Sequence, residues 1–171
     1  NMGNILKEQG QLEKAVKAFK NAFLLKPDFA EAFYNLGNAY KEMRKLTDAI
    51  SAYNKALLLN PNYAEALYNK GLAQSDMDDL DAAIDSYNQA IRINPKFGSA
   101  FNNLGSALFE KGEIEKAIES YKQAVKFSPS DADAWNNLGS VSSIIGNHQA
   151  AIESFNQALK INPSYVVALF R

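Results

Sequence analysis

The sequence predicts an all-α fold, a superhelical solenoid of antiparallel helix hairpins, and three observations carry that prediction. The prolines Pro27, Pro61, Pro95, Pro129 and Pro163 are each 34 residues from the next. Independent placement would give that shared phase with a chance on the order of one in a million. Small residues keep the same step at Gly3, Gly37, Gly71, Gly105 and Gly139, and at Ala15, Ala49, Ala83, Ala117 and Ala151. So do Ala22, Ala56, Ala90, Ala124 and Ala158, with an aromatic between the alanines at Phe19, Tyr53, Tyr87, Tyr121 and Phe155. Third, apolar residues within one period recur at three- and four-residue spacing, the mark of helix rather than strand.

The period from Ala30 to Pro61 shows how each element arises. Phe33, Leu36, Tyr40 and Met43 trace one face of a first helix; Leu46, Ile50, Tyr53, Leu57 and Leu58 trace a second. Gly37 inside the first helix would cost about 1 kcal/mol relative to alanine if it only filled space. Its recurrence predicts close approach of a neighbouring helix, as do Ala49 and Ala56. Between the helices, Gly10, Gly112 and Gly146 share one phase and suit a left-handed cap. Arg44 and Asp78 hold that phase in the second and third periods, which predicts strained turns there. Proline ends each second helix. Asp28, Asn62, Ser130 and Ser164 follow as expected N-caps, with Glu31 and Glu65 completing capping boxes and Asp133 a shorter version.

A lone hairpin cannot bury its apolar faces, so hairpins must stack, each touching only its neighbours and leaving an inner face free. The expected repeats are 1–29, truncated at its start, then 30–63, 64–97, 98–131 and 132–165, with 166–171 beginning a sixth. Both ends fall inside a first helix, and no polar capping helix follows. The expectation is an internal fragment of a longer array, the alternative being open ends that meet other copies.

Composition bounds the function. The 171 residues are 47% hydrophobic and 22% charged with a net charge of −1, which fits a folded protein and argues against a disordered tail or a collagen-like fibre. The balance also lacks the basic excess of a nucleic-acid binder. With no cysteine there is no disulfide framework, thiolate metal site or cysteine nucleophile. No apolar run approaches the roughly 20 residues that span a bilayer, and Asn1-Met2-Gly3-Asn4 has no basic leader region. No membrane partner is expected; the compartment stays open, with the cytoplasm favoured.

The residues Phe33, Leu36, Gly37 and Tyr40, followed by Ala49, Tyr53, Ala56 and Pro61, resemble the tetratricopeptide repeat. Trp135, Leu138, Gly139, Ala151, Phe155, Ala158 and Pro163 repeat the resemblance, which covers the whole chain. It departs from the pattern at Lys70, Gln74, Leu108 and Ser142, where large apolar or tyrosine residues are usual. The resemblance implies a right-handed superhelix whose first helices line a concave groove, and a scaffold that binds an extended protein segment there.

Carried onto this chain, one groove phase holds Asn1, Asn35, Asn69, Asn103 and Asn137. An Asn amide offers one acceptor and two donors, so such a ladder can hold a peptide main chain with little regard to its sequence. The other reading is that these amides bond the preceding repeat. The ladder is similar to the repeat array of O-linked N-acetylglucosamine transferases, which recruit protein substrates through such a groove. Tyr34, Tyr68, Asn102 and Asn136 share the neighbouring phase, and Asn38 and Leu72 line a third with Asn4, Ser106 and Ser140.

Acids on these phases (Glu8, Glu31, Glu42, Glu65, Asp76, Glu110 and Asp133) outnumber the bases Lys7 and Lys41. Such a face favours neutral or basic segments if its field is real; the other reading is caps and solvated rim. The same field opposes nucleic acid. Tyr34, Asn38, Asn69, Ser99 and Asn103 stand where some family members place cations to clamp chaperone tails, so no such clamp is expected. Phe109 and Ile144 interrupt the polar face as either an apolar anchor pocket or packing on the adjacent hairpin. On the second helices, Leu24 and Leu58 mark a possible contact surface at a phase held later by Arg92, Lys126 and Lys160.

No catalytic constellation is expected, and no cofactor or metal. His148, the one histidine, shares the phase of Leu12, Leu46, Leu80 and Ile114 and reads as a packing substitution. The acids Asp76, Asp78, Asp79 and Asp81 lack the central Gly and final Glu of a calcium loop, so they read as a solvated turn.

Overall fold

Because the apolar residues fall on one face at helical spacing, the chain condenses as amphipathic helices joined by tight turns. The computed structural model describes residues 2–25 and 29–164. Asn1, Pro27, Asp28 and the expected sixth repeat at 166–171 lie outside the described residues, as do the side chains of Ala22 and Leu24. Among the described residues the helices are α1 (Met2–Glu8), α2 (Leu12–Leu25), α3 (Ala30–Glu42), α4 (Leu46–Leu59), α5 (Ala64–Ser75), α6 (Leu80–Ile93), α7 (Gly98–Glu110), α8 (Ile114–Phe127), α9 (Ala132–Ile144) and α10 (His148–Ile161). The fold is all-α.

The chain divides into two units, residues 1–93 and 94–171. In the first, α1 pairs with α2, α3 with α4 and α5 with α6, while α2 packs on α3 and α4 on α5. In the second, α7 pairs with α8 and α9 with α10, and α8 packs on α9. Within each unit α2, α4 and α8 are thus shared between their own hairpin and the next, as a stacked array requires.

Small residues let the helices approach, and aromatics fill what remains. A Cβ placed on Gly37 would lie 2.5 Å from the Tyr53 ring, and one on Gly71 equally close to Tyr87. The close approach expected from the recurring glycine is real, and its partner is the second helix of the same hairpin. Tyr53 and Phe19 are fully buried, Tyr53 in a cluster with Ala49 and Ala73 and Phe19 in one with Ala15, Ala39 and Ala52.

Turns follow the sequence in one respect and depart from it in another. Gly10, Gly112 and Gly146 adopt φ of 72°, 78° and 77°, and Arg44 and Asp78 are held at 58° and 63°. For a residue with a Cβ that region costs about 1–2 kcal/mol. Replacing both Arg44 and Asp78 by glycine is therefore expected to stabilise the fold by about 1–2 kcal/mol, since the exposed Arg44 pair it removes is worth little. A denaturant midpoint that stays or falls would show that those turns are unstrained.

The expected caps need correction. Asn62 and Ser130 precede the helix starts; Tyr63 and Asp131 hold the N-cap positions of α5 and α9. Asp131 caps with its side chain, accepting from Ala134 N at 3.1 Å. Tyr63 makes no side-chain cap, nor does Phe29 before α3, so Glu31 and Glu65 complete no capping box and act only as acids in the first turn. The chain is turned instead by Asn60, Asn94 and Asn162, whose Oδ1 atoms accept from the N–H groups of Asn62, Lys96 and Ser164 at 3.1–3.2 Å. Asparagine side chains favour such turns by bonding their own backbone two residues on.

Candidate functional site

The first helix of each hairpin carries the residues singled out from sequence. In the first unit, Tyr34, Asn35 and Asn38 lie on α3, with Tyr68, Asn69 and Leu72 on the adjoining α5. All six are half-buried. The second unit places Asn102, Asn103 and Phe109 on α7, with Asn136, Asn137 and Ile144 on α9.

The ladder amides reach back to the preceding repeat. Asn69 Nδ2 donates to the Tyr34 hydroxyl at 2.9 Å, while its Oδ1 accepts from Lys41 Nζ at 3.1 Å. Asn137 Nδ2 donates to Asn102 Oδ1 at 3.1 Å. Both braces span 35 residues, one more than the period. An amide has more capacity than one such bond uses. The Oδ1 of half-buried Asn137 has no hydrogen-bond partner among the described residues. Bracing the array and offering polar atoms outward are compatible roles.

The same 35-residue offset joins charges. Lys7 Nζ meets Glu42 at 3.1 Å. Arg44, 32 residues before Asp76, reaches it at 2.8 Å, a cation from outside the groove phases that sequence reasoning missed. Two of the seven acids are therefore paired, while Glu8, Glu31, Glu65, Glu110 and Asp133 are exposed. The face is less acidic than a count of its phases implies, and exposed charges are screened beyond about 8–10 Å at ordinary salt. Burial lowers the Lys41 pKa against the opposing pull of Asp76 and Glu42.

Aromatic residues of the second helices support this face from behind. Tyr53 donates from its hydroxyl to Asn38 Oδ1 at 2.8 Å, and its ring lies 6.1 Å from that of Tyr34. Burial, with Tyr34 and Glu42 adding to it, holds the Tyr53 phenol well above its ordinary pKa. Tyr63, at the N-cap of α5, holds its ring tilted 4.9 Å from that of Tyr34, and its own pKa is raised to about 12 by burial first. Tyr121 makes the bond equivalent to Tyr53 with Ser106 at 3.2 Å.

The first repeat lacks that bond. Asn4 has the phase of Asn38, but Phe19 stands where Tyr53 does, and Asn4 Oδ1 is buried without a partner. Phe19→Tyr is expected to supply the missing donor and raise stability by about 1 kcal/mol. Thermal unfolding checks it; an unchanged or lower midpoint would mean the hydroxyl does not reach Asn4.

Ile144 is 63% exposed among the described residues, and Phe109 is half-buried. They are related by the offset that brings Lys7 to Glu42. His148 is exposed at the first position of α10, and the residues that follow that hairpin lie outside the described ones. Leu58 is 83% exposed on α4. Asp76 pairs with Arg44, and Asp79 Oδ1 accepts from Ala82 N at 3.2 Å. Among the described residues, no cluster of His, Cys, Asp and Glu is arranged to hold a metal, and no helix is long and apolar enough to cross a membrane.

Comparison with known proteins agrees with this architecture. The chain is similar to a crystal structure of MamA, at 28% identity and a TM-score of 0.87, with 97% of each chain covered. It is also similar to YrrB, described as a TPR protein with an unusual peptide-binding site, at 25% identity and a TM-score of 0.79, covering 99% of this chain and 87% of that one. PilF of Pseudomonas aeruginosa shares the fold at 17% identity and a TM-score of 0.87, over 94% of this chain and 73% of that one. Among curated protein sequences nothing matches. Tetratricopeptide-repeat profiles match residues 30–63, 64–97 and 132–165, a further one matches 86–119, and a TPR-repeat profile matches 3–43 and 105–141. The chain belongs to the tetratricopeptide-repeat family, as a protein-interaction scaffold.

Proposed function

We propose that the faces carrying Asn35, Asn69, Asn103 and Asn137 bind extended segments of partner proteins through the segments' main chain. The observation that carries this reading is the amide geometry. Asn69 and Asn137 are fixed by their inter-repeat bonds, which pre-organises them at little further entropic cost, and Asn137 keeps an unused acceptor. Tyr34, Tyr68, Asn38, Leu72, Asn102 and Asn136 flank the amides and complete the contact face. Phe109 and Ile144 supply an apolar anchor that selects among segments. The exposed acids favour neutral or basic ones.

YrrB, a structural relative, is described as having an unusual peptide-binding site, which supports the class of ligand. On this reading the array is a non-catalytic module with repeats bounded at residues 30, 64, 98, 132 and 166. Recruiting substrates for a glycosyltransferase-like enzyme is one use of such a module. The test is a random-sequence peptide array probed with the parent chain and with a triple Asn69→Ala, Asn103→Ala, Asn137→Ala variant. Uniform weakening across bound peptides supports the proposal. Equal binding by both proteins overturns it and moves attention to assembly through the array's ends, which would appear as mass rising with concentration.

A further inference from the structure

A second site lies in the other direction from these helices, where one side chain is too short for its place. The phase that holds Leu6, Tyr40, Gln74 and Leu108 holds Ser142 in the last hairpin. Tyr40 packs against the core of the first unit beside Val16, and Lys20 stands with its ammonium 6.0 Å over the ring. Leu108 is buried, and Gln74 accepts a hydrogen bond from the buried Ser86. Each fills the wedge between its own hairpin and its surroundings. Serine cannot.

At Ser142 lies a half-open groove of about 310 Å³ between α8, α9 and α10. Its apolar wall is Ile118, Leu138, Ile145 and Ala150, with Lys122 and Glu119 at the edge. Ser142 is 4% exposed, and its hydroxyl has no hydrogen-bond partner among the described residues. Ile118 has the phase of Val16, and Lys122 has the phase of Lys20. The surroundings of the Tyr40 ring are thus repeated around a space without a ring. In the corresponding groove of the first unit, of about 240 Å³, Tyr40 itself forms part of the lining.

We infer that the groove at Ser142 is a binding site for a tyrosine side chain presented by a partner protein. The chain's own Tyr40 is the template for the occupant. A phenol ring meets Ile118, Leu138 and Ile145 with its faces, its hydroxyl has Ser142 and the edge charges as partners, and Lys122 stands where a cation faces the ring. Size permits this, since an apolar cavity of about 150 Å³ already takes up benzene. The groove uses none of the ladder residues, so it stands apart from the proposed peptide faces.

The test titrates the chain with p-cresol while following the methyl resonances of Ile118, Ile145 and Ala150. The expected result is saturable binding with a dissociation constant on the order of millimolar, shifts confined to α8, α9 and α10, and competition by N-acetyltyrosinamide. Ser142→Tyr should abolish binding by filling the space from within. Ser142→Leu should do the same in a side chain already native at this phase in Leu108, which keeps the test valid if the tyrosine variant fails to fold. The triple Asn variant should bind p-cresol as the parent does. Shifts that fail to saturate, or undiminished binding in Ser142→Leu, would overturn the site. Binding of p-cresol without competition by N-acetyltyrosinamide would overturn the partner side chain as its occupant.

Discussion

Gly37→Val is expected to destabilise the fold by about 3 kcal/mol, at the upper end of overpacking costs. The reason is that the Tyr53 ring has nowhere to go. A Cβ at Gly37 would lie 2.5 Å from Cε1 and 2.6 Å from Cδ1 of that ring. The ring is fully buried, its hydroxyl is tied to Asn38 on the same helix at 2.8 Å, and Tyr34 lies against it. Relief therefore requires α3 and α4 to part, which opens the alanine contacts at Ala49, Ala52 and Ala56 as well. Chemical denaturation gives the loss, and hydrogen exchange on α3 and α4 locates it. Tyr53→Ala alone should cost about 3–5 kcal/mol. The double variant should cost less than the two added together, because removing the ring removes the clash. A Gly37→Val chain as stable as the parent would mean that the close approach does not exist.

The triple Asn69→Ala, Asn103→Ala, Asn137→Ala variant is expected to lose about ten- to a hundredfold in affinity for extended peptides, from side-chain bonds worth about 0.5–1.5 kcal/mol each. It should also lose about 1–3 kcal/mol of stability, because the inter-repeat bonds of Asn69 to Tyr34 and Asn137 to Asn102 go with it. These two effects must be separated. Tyr34→Phe with Asn102→Ala cuts the same braces but leaves the ladder amides in place. That variant should share the stability loss and, because Tyr34 and Asn102 also flank the amides on the contact face and their bonds pre-organise it, lose part of the peptide affinity but clearly less than the triple variant. If instead it loses as much affinity as the triple variant, the amides serve the array alone and the main-chain reading fails. A selective effect of Phe109→Ala and Ile144→Ala, changing which peptides bind rather than how tightly all bind, would identify the anchor.

Much of this was readable from the chain. A strict period written in proline, glycine, alanine and aromatic residues determines helix hairpins, their order and their core, because each feature is local or repeats under one packing rule. Gly37 predicted a close helix, and Arg44 and Asp78 predicted strained turns, since both follow from the geometry of a single hairpin. The caps were misplaced at Asn62 and Ser130 because the residue after proline still belongs to the turn, bent before α5 by the Asn60 side chain and before α9 by the bond from Asp131 N–H to the Ser128 carbonyl.

Tertiary structure alone decided what happens between hairpins. The period is 34 residues, yet Lys7 meets Glu42, Tyr34 meets Asn69 and Asn102 meets Asn137 at 35, and Arg44 meets Asp76 at 32. Reading down a single phase therefore shows a ladder of asparagines, but not that Asn69 answers Tyr34 or Glu42 answers Lys7. Nor does one phase reveal that Arg44 brings its charge to Asp76, because a long side chain leaves the face its Cα defines. The groove at Ser142 is of the same kind. Sequence marks a short residue where large ones are usual, but only packed neighbours determine whether the space closes or stays open. Local geometry repeats with the sequence, while contacts across the stack depend on how one repeat is set against the next.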